Sequence, residues 1–295
     1  MMNSGAKSEI AVTEFKSYLT SVKKVLDAIK ADRQLKKQKK IVIKPNLTDT
    51  LFPPVTTDVN CIKAIIEYIQ SCSPRAKIIV AEGSGGCDTP KAFERLGYVA
   101  LEDVYGIKLV DLNADERKTL KNSKAMVLKE LEVPKTLLGA YVISVPVPKE
   151  HGMARFTGAM KNMIGIYLPK PTLREKAKSL AGRVIRAAMP VLTPPVWSKS
   201  RLHLLGLNKG IFDLNLYVHI DLAVVDAKIG QKECEIYGNP CKPPLNRIYA
   251  GYDAVAIDSY SAGLLRVDWK RVGHLKYANG ILGNADPDKM SVRLI

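Results

Sequence analysis

The chain lacks the features that mark membrane-spanning and disulfide-bonded secreted proteins. No apolar run approaches the roughly 20 residues of a membrane-spanning helix, and the first residues, MMNSGAKSEIAV, contain no apolar leader core. The five cysteines are an odd number at irregular spacings, without a C-x-x-C pair. This argues against a disulfide framework and against a self-contained zinc or iron–sulfur site. We therefore expect a cytoplasmic protein.

Aromatic and acidic residues are also scarce. Aromatics make up 6% of the chain, which offers few stacking platforms for single-stranded nucleic acid, so nucleic acid is not an expected partner. The 29 acidic residues are outnumbered by 45 lysines and arginines, for a formal net charge of +16. Such an excess attracts phosphates, carboxylates or anionic membrane surfaces, although solvated surface lysines account for it equally well.

The hydrophobic pattern of the sequence predicts an α/β fold. Hydrophobic residues make up 46% of the chain, an ordinary share for a globular protein. Short apolar runs without strict alternation are separated by helical patterns. This is typical of a mostly parallel or mixed sheet with helices on both faces, in Rossmann-like layers. The predicted strands are residues 41–43, 77–80, 107–112, 126–131, 141–147, 222–226, 247–250 and 290–295.

Two regions stand apart from this pattern. Residues 9–40 read as helix, with Phe15, Leu19 and Val22 on the apolar face, so residues 1–40 are expected to be an N-terminal helical segment packing on an α/β domain of residues 41–295. Residues 169–201 are expected to be a helical insertion, in which 172–189 form a basic amphipathic helix. Such a helix can contact an anionic membrane or an acidic protein, or pack as a lid on its own domain.

The most informative segment is KEHGMARFTGAMKNMIG, residues 149–165, which follows a predicted buried strand. Open α/β sheets bind ligands beyond the carboxyl ends of their strands. Arginine and lysine suit phosphate or carboxylate, and histidine can transfer a proton, although a lone histidine is often structural. The candidate ligand-binding or catalytic residues here are Lys149, His151, Arg155, Thr157, Lys161 and Asn162.

Two further strand ends carry candidates for the same site. Lys44 and Asn46 follow the first predicted strand, flanking a proline that stiffens the turn. Glu82, Gly83 and Ser84 begin a glycine-rich turn between a strand and a helix. Its backbone N–H groups can bind an anion, although an ordinary tight turn explains it as well. Glu82 is also a candidate base or metal ligand.

Two aspartates complete the candidate set. Asp226 ends a predicted buried strand, and Asp258 lies along a predicted helix, where it needs a cationic partner if it faces the sheet edge. Asp226 with Glu82 and His151 suits a divalent cation, although no local H-x-x-x-H or D-x-D pattern supports one. A divalent metal is therefore kept as a candidate cofactor beside an anionic ligand alone.

The motifs resemble the DUF362 family of bacterial and archaeal proteins. Their order and spacing extend over residues 41–295, and the longest lies in the segment 149–165. The matching segments are IKPNL at 43–47, the turn from Glu82 with Gly97-Tyr98, DLN at 111–113, HGxxRFTGAxKNMxG at 151–165, DLAVVD at 221–226 and AGxDxVAxD at 250–258.

This resemblance implies an α/β domain but no reaction, because the family was named for having no assigned activity. Many members carry a ferredoxin-like domain with two four-iron clusters. The cysteines for such clusters are missing from this chain, so no iron–sulfur cluster is expected in it. The basic insertion after Leu168 is longer than the connection typical of the family at that place.

The sequence therefore predicts a protein, by preference an enzyme, that binds an anionic small molecule at the carboxyl edge of the sheet. Lys44, Arg155 and Lys161 are expected to hold the charge and His151 to transfer a proton, with Lys161 and Glu82 as further catalytic candidates. The alternative is a non-enzymatic accessory protein of a redox or biosynthetic system, peripheral at a membrane or bound to an acidic partner through residues 172–189.

Overall fold

A computed structural model describes residues 7–169, Lys199 and residues 201–295. The strands are β1 (Ser8–Glu14), β2 (Lys40–Pro45), β3 (Lys77–Glu82), β4 (Lys108–Asp111), β5 (Arg117–Lys121), β6 (Glu130–Pro134), β7 (Tyr141–Val145), β8 (Lys149–His151), β9 (Arg155–Thr157), β10 (Leu222–Ala227), β11 (Gln231–Lys232), β12 (Asn239–Pro240), β13 (Arg247–Gly251) and β14 (Met290–Leu294). The helices are α1 (Tyr18–Ala28), α2 (Asp32–Leu35), α3 (Val59–Cys72), α4 (Thr89–Arg95), α5 (Ala100–Tyr105), α6 (Ala159–Asn162), α7 (Arg201–Tyr217), α8 (Ala254–Leu264) and α9 (Gly273–Ala278). Short 3-10 turns cover Lys135–Leu137, Met163–Ile166, Trp269–Arg271 and Pro287–Lys289.

The main sheet has eight strands in the order β14-β1-β13-β10-β7-β2-β3-β4. Neighbours from β10 to β4 pair in parallel, and β13 pairs antiparallel with both β1 and β10. The sheet is therefore mostly parallel with one reversed strand, as the uninterrupted apolar runs predicted.

Helices cover both faces of this sheet, which confirms the predicted layers. Ile41 and Ile43 of β2 face the layer of α1 and α3, whereas Val42 faces the opposite core, to which α7 and α8 contribute. Because each strand buries side chains on both faces, its sequence is apolar without alternation.

The prediction that helix extends from residue 9 to residue 40 is wrong at both ends. Residues 8–14 form β1, which lies within the main sheet between β13 and β14, so part of the first 40 residues is core strand. Helix α1 begins at Tyr18 because the Ser17 side chain accepts a hydrogen bond from Thr20 N. Leu19, predicted to face the core, is 58% exposed.

Several smaller elements went unpredicted. Strands β8 and β9 form a hairpin in a second sheet of order β12-β11-β8-β9, and β5 pairs with β6. Helix α7, broken at Gly206, follows the predicted insertion. The predicted basic helix 172–189 lies outside the described residues. Among the helices that are described, none combines the length and the apolar character needed to cross a bilayer.

Candidate functional site

The main sheet reverses its direction of growth beside β2. From β2 the chain adds β3 and β4 on one side, then returns to add β7 on the other. At such a switch point the connections diverge and leave a crevice at the carboxyl ends of the strands. A cavity of about 220 Å³ lies there, between Asn46 after β2, the glycine turn after β3 and His151 after β7.

A buried ion pair lies beside this cavity. Lys44 Nζ, fully inaccessible to solvent, donates to Glu82 Oε1. The same oxygen accepts from Gly83 N at 2.7 Å, and Glu82 Oε2 accepts from Leu47 N at 2.9 Å. Burial lowers the pKa of Lys44, and Glu82 opposes that shift. Glu82 lines the cavity as predicted, but three donors fix its carboxylate in place.

An amide network extends from this ion pair to Lys149. Asn162 Oδ1 accepts from Lys44 Nζ and from Asn46 Nδ2, both at 3.3 Å, and Asn46 Oδ1 accepts from Lys149 Nζ at 2.8 Å. Burial lowers the pKa of Lys149 to about 7, and the charge of Lys161 lowers it further. Lys44 and Lys149 are thus positioned behind the cavity wall, whereas Asn46 and Asn162 line it.

His151 is held in one tautomer. Its Nδ1 accepts from the backbone N–H groups of Met153 and Ala154, both at 3.1 Å, so the ring proton lies on Nε2. Nε2 lies 3.1 Å from Glu235 Oε1 and donates to it. Burial lowers the pKa of His151. In this arrangement His151 is a neutral hydrogen-bond donor, with no nitrogen free to accept a proton.

Glu235 was missed by the sequence reasoning. Burial raises the pKa of its carboxyl, but the hydrogen bond from His151, its own backbone N–H and the charge of Lys161 outweigh burial and hold the pKa below its usual value. Glu235 is therefore an ionised group that fixes His151 at the cavity wall. It lies in a stretch without strand or helix periodicity, so no local signal marks it.

Lys199 and His203 also line the cavity without having been predicted. Lys199 Nζ donates to the carbonyl oxygens of Gly83 and Gly165. Burial lowers its pKa to about 7, since Glu82 only partly offsets the loss of solvation. Lys199 lies within the predicted insertion of residues 169–201 and His203 just after it, and neither belongs to a motif that the sequence reasoning singled out.

Three hydrogen-bond donors on the cavity wall have no acceptor within the part of the chain that the structure describes. They are the ammonium of Lys161, the hydroxyl of Thr157 and the backbone N–H of Gly85. The Thr157 hydroxyl is buried, with 2% of the residue exposed. Burial lowers the pKa of Lys161 to about 8 even though Glu235 favours its charged form.

Most backbone N–H groups of the glycine turn donate to acceptors within the protein. The N–H groups of Gly83, Ser84 and Gly86 donate to Glu82 Oε1, Thr89 Oγ1 and Thr48 O. A Cβ on Gly83 would lie 2.2 Å from the carbonyl oxygen of Gly165. The predicted anion-binding turn is thereby reduced to the Gly85 amide, and its other glycines permit close backbone packing.

Asp258 has a backbone role and lies away from the cavity lining. Its carboxylate accepts from Ala159 N at 2.6 Å and Met160 N at 2.9 Å, which fixes the start of α6. A Cβ on Gly158 would approach Asp258 Oδ1 to 2.2 Å. The condition under which Asp258 was expected to need a cation is therefore not met, and two backbone N–H groups satisfy its carboxylate.

Asp226 and Arg155 also lie apart from this cavity. Asp226 accepts from the Tyr18 hydroxyl at 3.1 Å and from Asp58 N at 3.2 Å, in a separate recess of about 30 Å³. Arg155 lines a neighbouring surface cavity. The predicted metal set of Asp226, Glu82 and His151 is not assembled, and across the described residues no three His, Cys, Asp or Glu side chains converge as metal ligands.

Comparison with known proteins identifies the family to which the sequence is similar. A family model described as "Domain of unknown function (DUF362)" matches residues 41–263. Comparison with curated proteins finds no match.

Two solved structures are similar over most of this chain. The lactate racemase apoprotein from Thermoanaerobacterium thermosaccharolyticum is 14% identical, with a TM-score of 0.49 over 87% of this chain and 56% of its own. A protein from Thermotoga maritima is 13% identical, with a TM-score of 0.45 over 86% of this chain and 61% of its own. The chain thus covers less than two thirds of either structure.

Proposed function

The chain belongs to the DUF362 family, and from that premise we propose that it binds a small molecule bearing a phosphate or carboxylate group in the cavity at the carboxyl edge of its sheet. The family description supplies no reaction. The proposal therefore rests on which groups surround the cavity and on what those groups lack.

The observation that carries the proposal is the set of three unpaired donors. A buried hydroxyl without an acceptor costs about 1–3 kcal/mol, and a half-buried ammonium without a protein partner loses part of its hydration. Lys161, Thr157 and Gly85 present such donors to one cavity. The oxygens of a single phosphate or carboxylate are acceptors that satisfy all three, and their negative charge offsets the desolvation of the lysine.

The charge around the cavity supports an anion. Lys44, Lys149, Lys161 and Lys199 lie in or directly behind its wall, against the carboxylates of Glu82 and Glu235. Below about pH 7, where Lys149 and Lys199 are mostly protonated, the site carries a net charge of +2 from four positive and two negative groups. This excess favours a doubly charged ligand over a neutral one.

Proton transfer is the chemistry that we propose at this site, with Lys161 as the group that exchanges the proton. Burial brings its pKa to about 8, and a bound anion favours the ammonium, so Lys161 is the acid that donates a proton to the bound molecule. His151 is assigned the role of an oriented hydrogen-bond donor, because its Nδ1 is occupied by two backbone N–H groups.

The test is calorimetric titration of inorganic phosphate into the wild type, Lys161→Met, Thr157→Val and the control Lys24→Met, which removes an exposed charge. A charge-assisted hydrogen bond contributes about 1.5–3 kcal/mol, so Lys161→Met is expected to weaken binding by about tenfold or more. Lys24→Met is expected to bind like the wild type.

Thr157→Val separates binding from folding. Because the Thr157 hydroxyl has no partner among the described residues, its removal is expected to leave the urea midpoint unchanged or raised while weakening phosphate binding. Wild-type affinity in both Lys161→Met and Thr157→Val, with both proteins folded by circular dichroism, would overturn the proposal.

A further inference from the structure

A second cavity, of about 280 Å³, opens on the surface beside the first. Three arginines line it: Arg155 from β9, and Arg266 and Arg271 from the segment after α8. His151 lines both cavities, so the β8–β9 hairpin is their common wall. The sequence had grouped Arg155 with Lys161, and in the structure the two line different cavities.

The three guanidinium groups have no hydrogen bond or ion pair within the described ranges of the chain. Three carboxylates share the cavity, and each already accepts from a nearby N–H group. Glu150 accepts from Glu233 N, Asp268 from Lys270 N and Glu233 from Asn239 Nδ2, at 2.7, 2.9 and 2.7 Å. Each acid thus already has an N–H partner, while the three exposed arginines have no protein acceptor in the described ranges.

Two of these arginines occupy backbone positions that favour glycine. Arg155 has φ of 67° and Arg266 has φ of 62°, both in the left-handed region. Arg155 follows the three-residue hairpin loop 152–154, and Arg266 follows the end of α8, places where glycine avoids a cost of about 1 kcal/mol. At both positions the arginine side chain is present despite that cost, and both side chains line the same cavity.

The hairpin register sets the backbone separation between Arg155, which lines the arginine cavity, and Thr157, which lines the lysine-lined cavity. His151 pairs with Arg155 and Lys149 pairs with Thr157. Arg155 and Thr157 are two residues apart on one strand, so their Cα atoms are separated by about 7 Å. A molecule with anionic groups at both ends of a short chain spans that distance.

We propose that the arginine cavity binds a second anionic group of the ligand whose first group occupies the lysine-lined cavity. The ligand class is then an elongated molecule with two anionic ends, such as a bisphosphate or a phosphorylated carboxylic acid. This inference rests on the proposed function, since it assigns the far end of the same ligand. Arginine supplies the bidentate fork that suits such a terminal group.

The experiment compares matched probes with one or two phosphates: butyl and hexyl phosphate against butane-1,4-diyl and hexane-1,6-diyl bisphosphate. Titrations use the wild type, the triple variant Arg155→Gln, Arg266→Gln, Arg271→Gln and the control Arg75→Gln, an exposed arginine remote in sequence. In the wild type, at least one bisphosphate is expected to bind about tenfold or more tightly than its monophosphate, because its second group binds intramolecularly.

The triple variant is expected to lose this gain while its affinity for the monophosphates stays within about twofold of wild type. Equal affinities within both probe pairs, or a gain that survives in the triple variant, would overturn the second subsite and leave the lysine-lined cavity intact. If none of the four probes binds the wild type, the proposed function fails together with this inference. Unchanged circular dichroism and urea midpoint confirm that the triple variant is folded.

Discussion

Anion affinity at the lysine-lined cavity is expected to fall as the pH rises through 8. Burial lowers the pKa of Lys161 to about 8, so the ammonium gives way to the neutral amine above that pH. A bound anion favours the ammonium and raises this pKa back toward its usual value. Binding therefore takes up a proton, and the contribution of Lys161 is fully present only well below pH 8.

The size of the effect follows from the pKa. At pH 9, one unit above the value of about 8, only about one Lys161 in eleven is charged, so affinity is about tenfold lower than at pH 6. Lys199, which also lines the cavity and has a pKa of about 7, extends the decline down to pH 7.

Sulfate is the appropriate probe, because its own charge is constant across this range. Calorimetric titrations at pH 6, 7, 8 and 9, each in two buffers of different ionisation enthalpy, measure both the affinity and the protons taken up. At pH 8, Lys161 alone is expected to contribute uptake of about half a proton. Lys161→Met is expected to lose this contribution and the decline above pH 8, while keeping any decline caused by Lys199.

A flat affinity from pH 6 to pH 9 without proton uptake would refute this reasoning. It would mean that the lysines do not share the cavity with the anion, or that burial does not shift their titration. Lys24→Met, at an exposed site, controls for the change in overall charge and is expected to follow the wild-type curve.

Two further predictions concern the groups that hold the site together. Lys44→Met is expected to lower the free energy of unfolding by about 3–5 kcal/mol in urea denaturation, because it leaves the buried Glu82 carboxylate without a counter-charge. Adding Glu82→Gln should recover part of that loss. A double variant no more stable than Lys44→Met alone would contradict the pairing. Asp258→Ala is expected to lower the free energy of unfolding by about 2–5 kcal/mol, because it leaves two N–H groups at the start of α6 without an acceptor. The control Asp288→Ala, at an exposed position, should change it by less than about 0.5 kcal/mol. Equal effects of the two substitutions would show that the cap is not needed.

Much of the fold could be predicted because it depends on local pattern. Strands β2, β3, β7, β10 and β13 are short apolar runs bounded by polar or proline residues, and their buried positions confirm the predicted layers. Strand β1 was not predicted, because its alternating start merges with the periodicity of α1. Only its pairing with β13 and β14 identifies it as a strand. The small strands of the second sheet are too short to carry any period.

The sequence predicted where the candidate site lies better than it predicted which side chains face the cavity. Parallel strands bring their carboxyl ends to one edge, so Asn46, Glu82, His151 and Lys161 had to lie near one another once the sheet was inferred. Which of them faces the cavity depends on partners remote in sequence. The hydrogen bond between Lys149 and Asn46 joins residues 103 positions apart, and no periodicity encodes it.

The sequence by itself determined the order of the layers, the edge at which the candidate site lies and most of the side chains brought there, since each follows from hydrophobic periodicity and chain direction. Tertiary structure decided the rest. In the folded protein Arg155 and Lys161 line different cavities, and backbone N–H groups donate to Asp258. Lys199 and Glu235, which lie far along the chain, also line the candidate site. Side-chain direction depends on strand register and on distant packing, and both are fixed only when the whole chain folds.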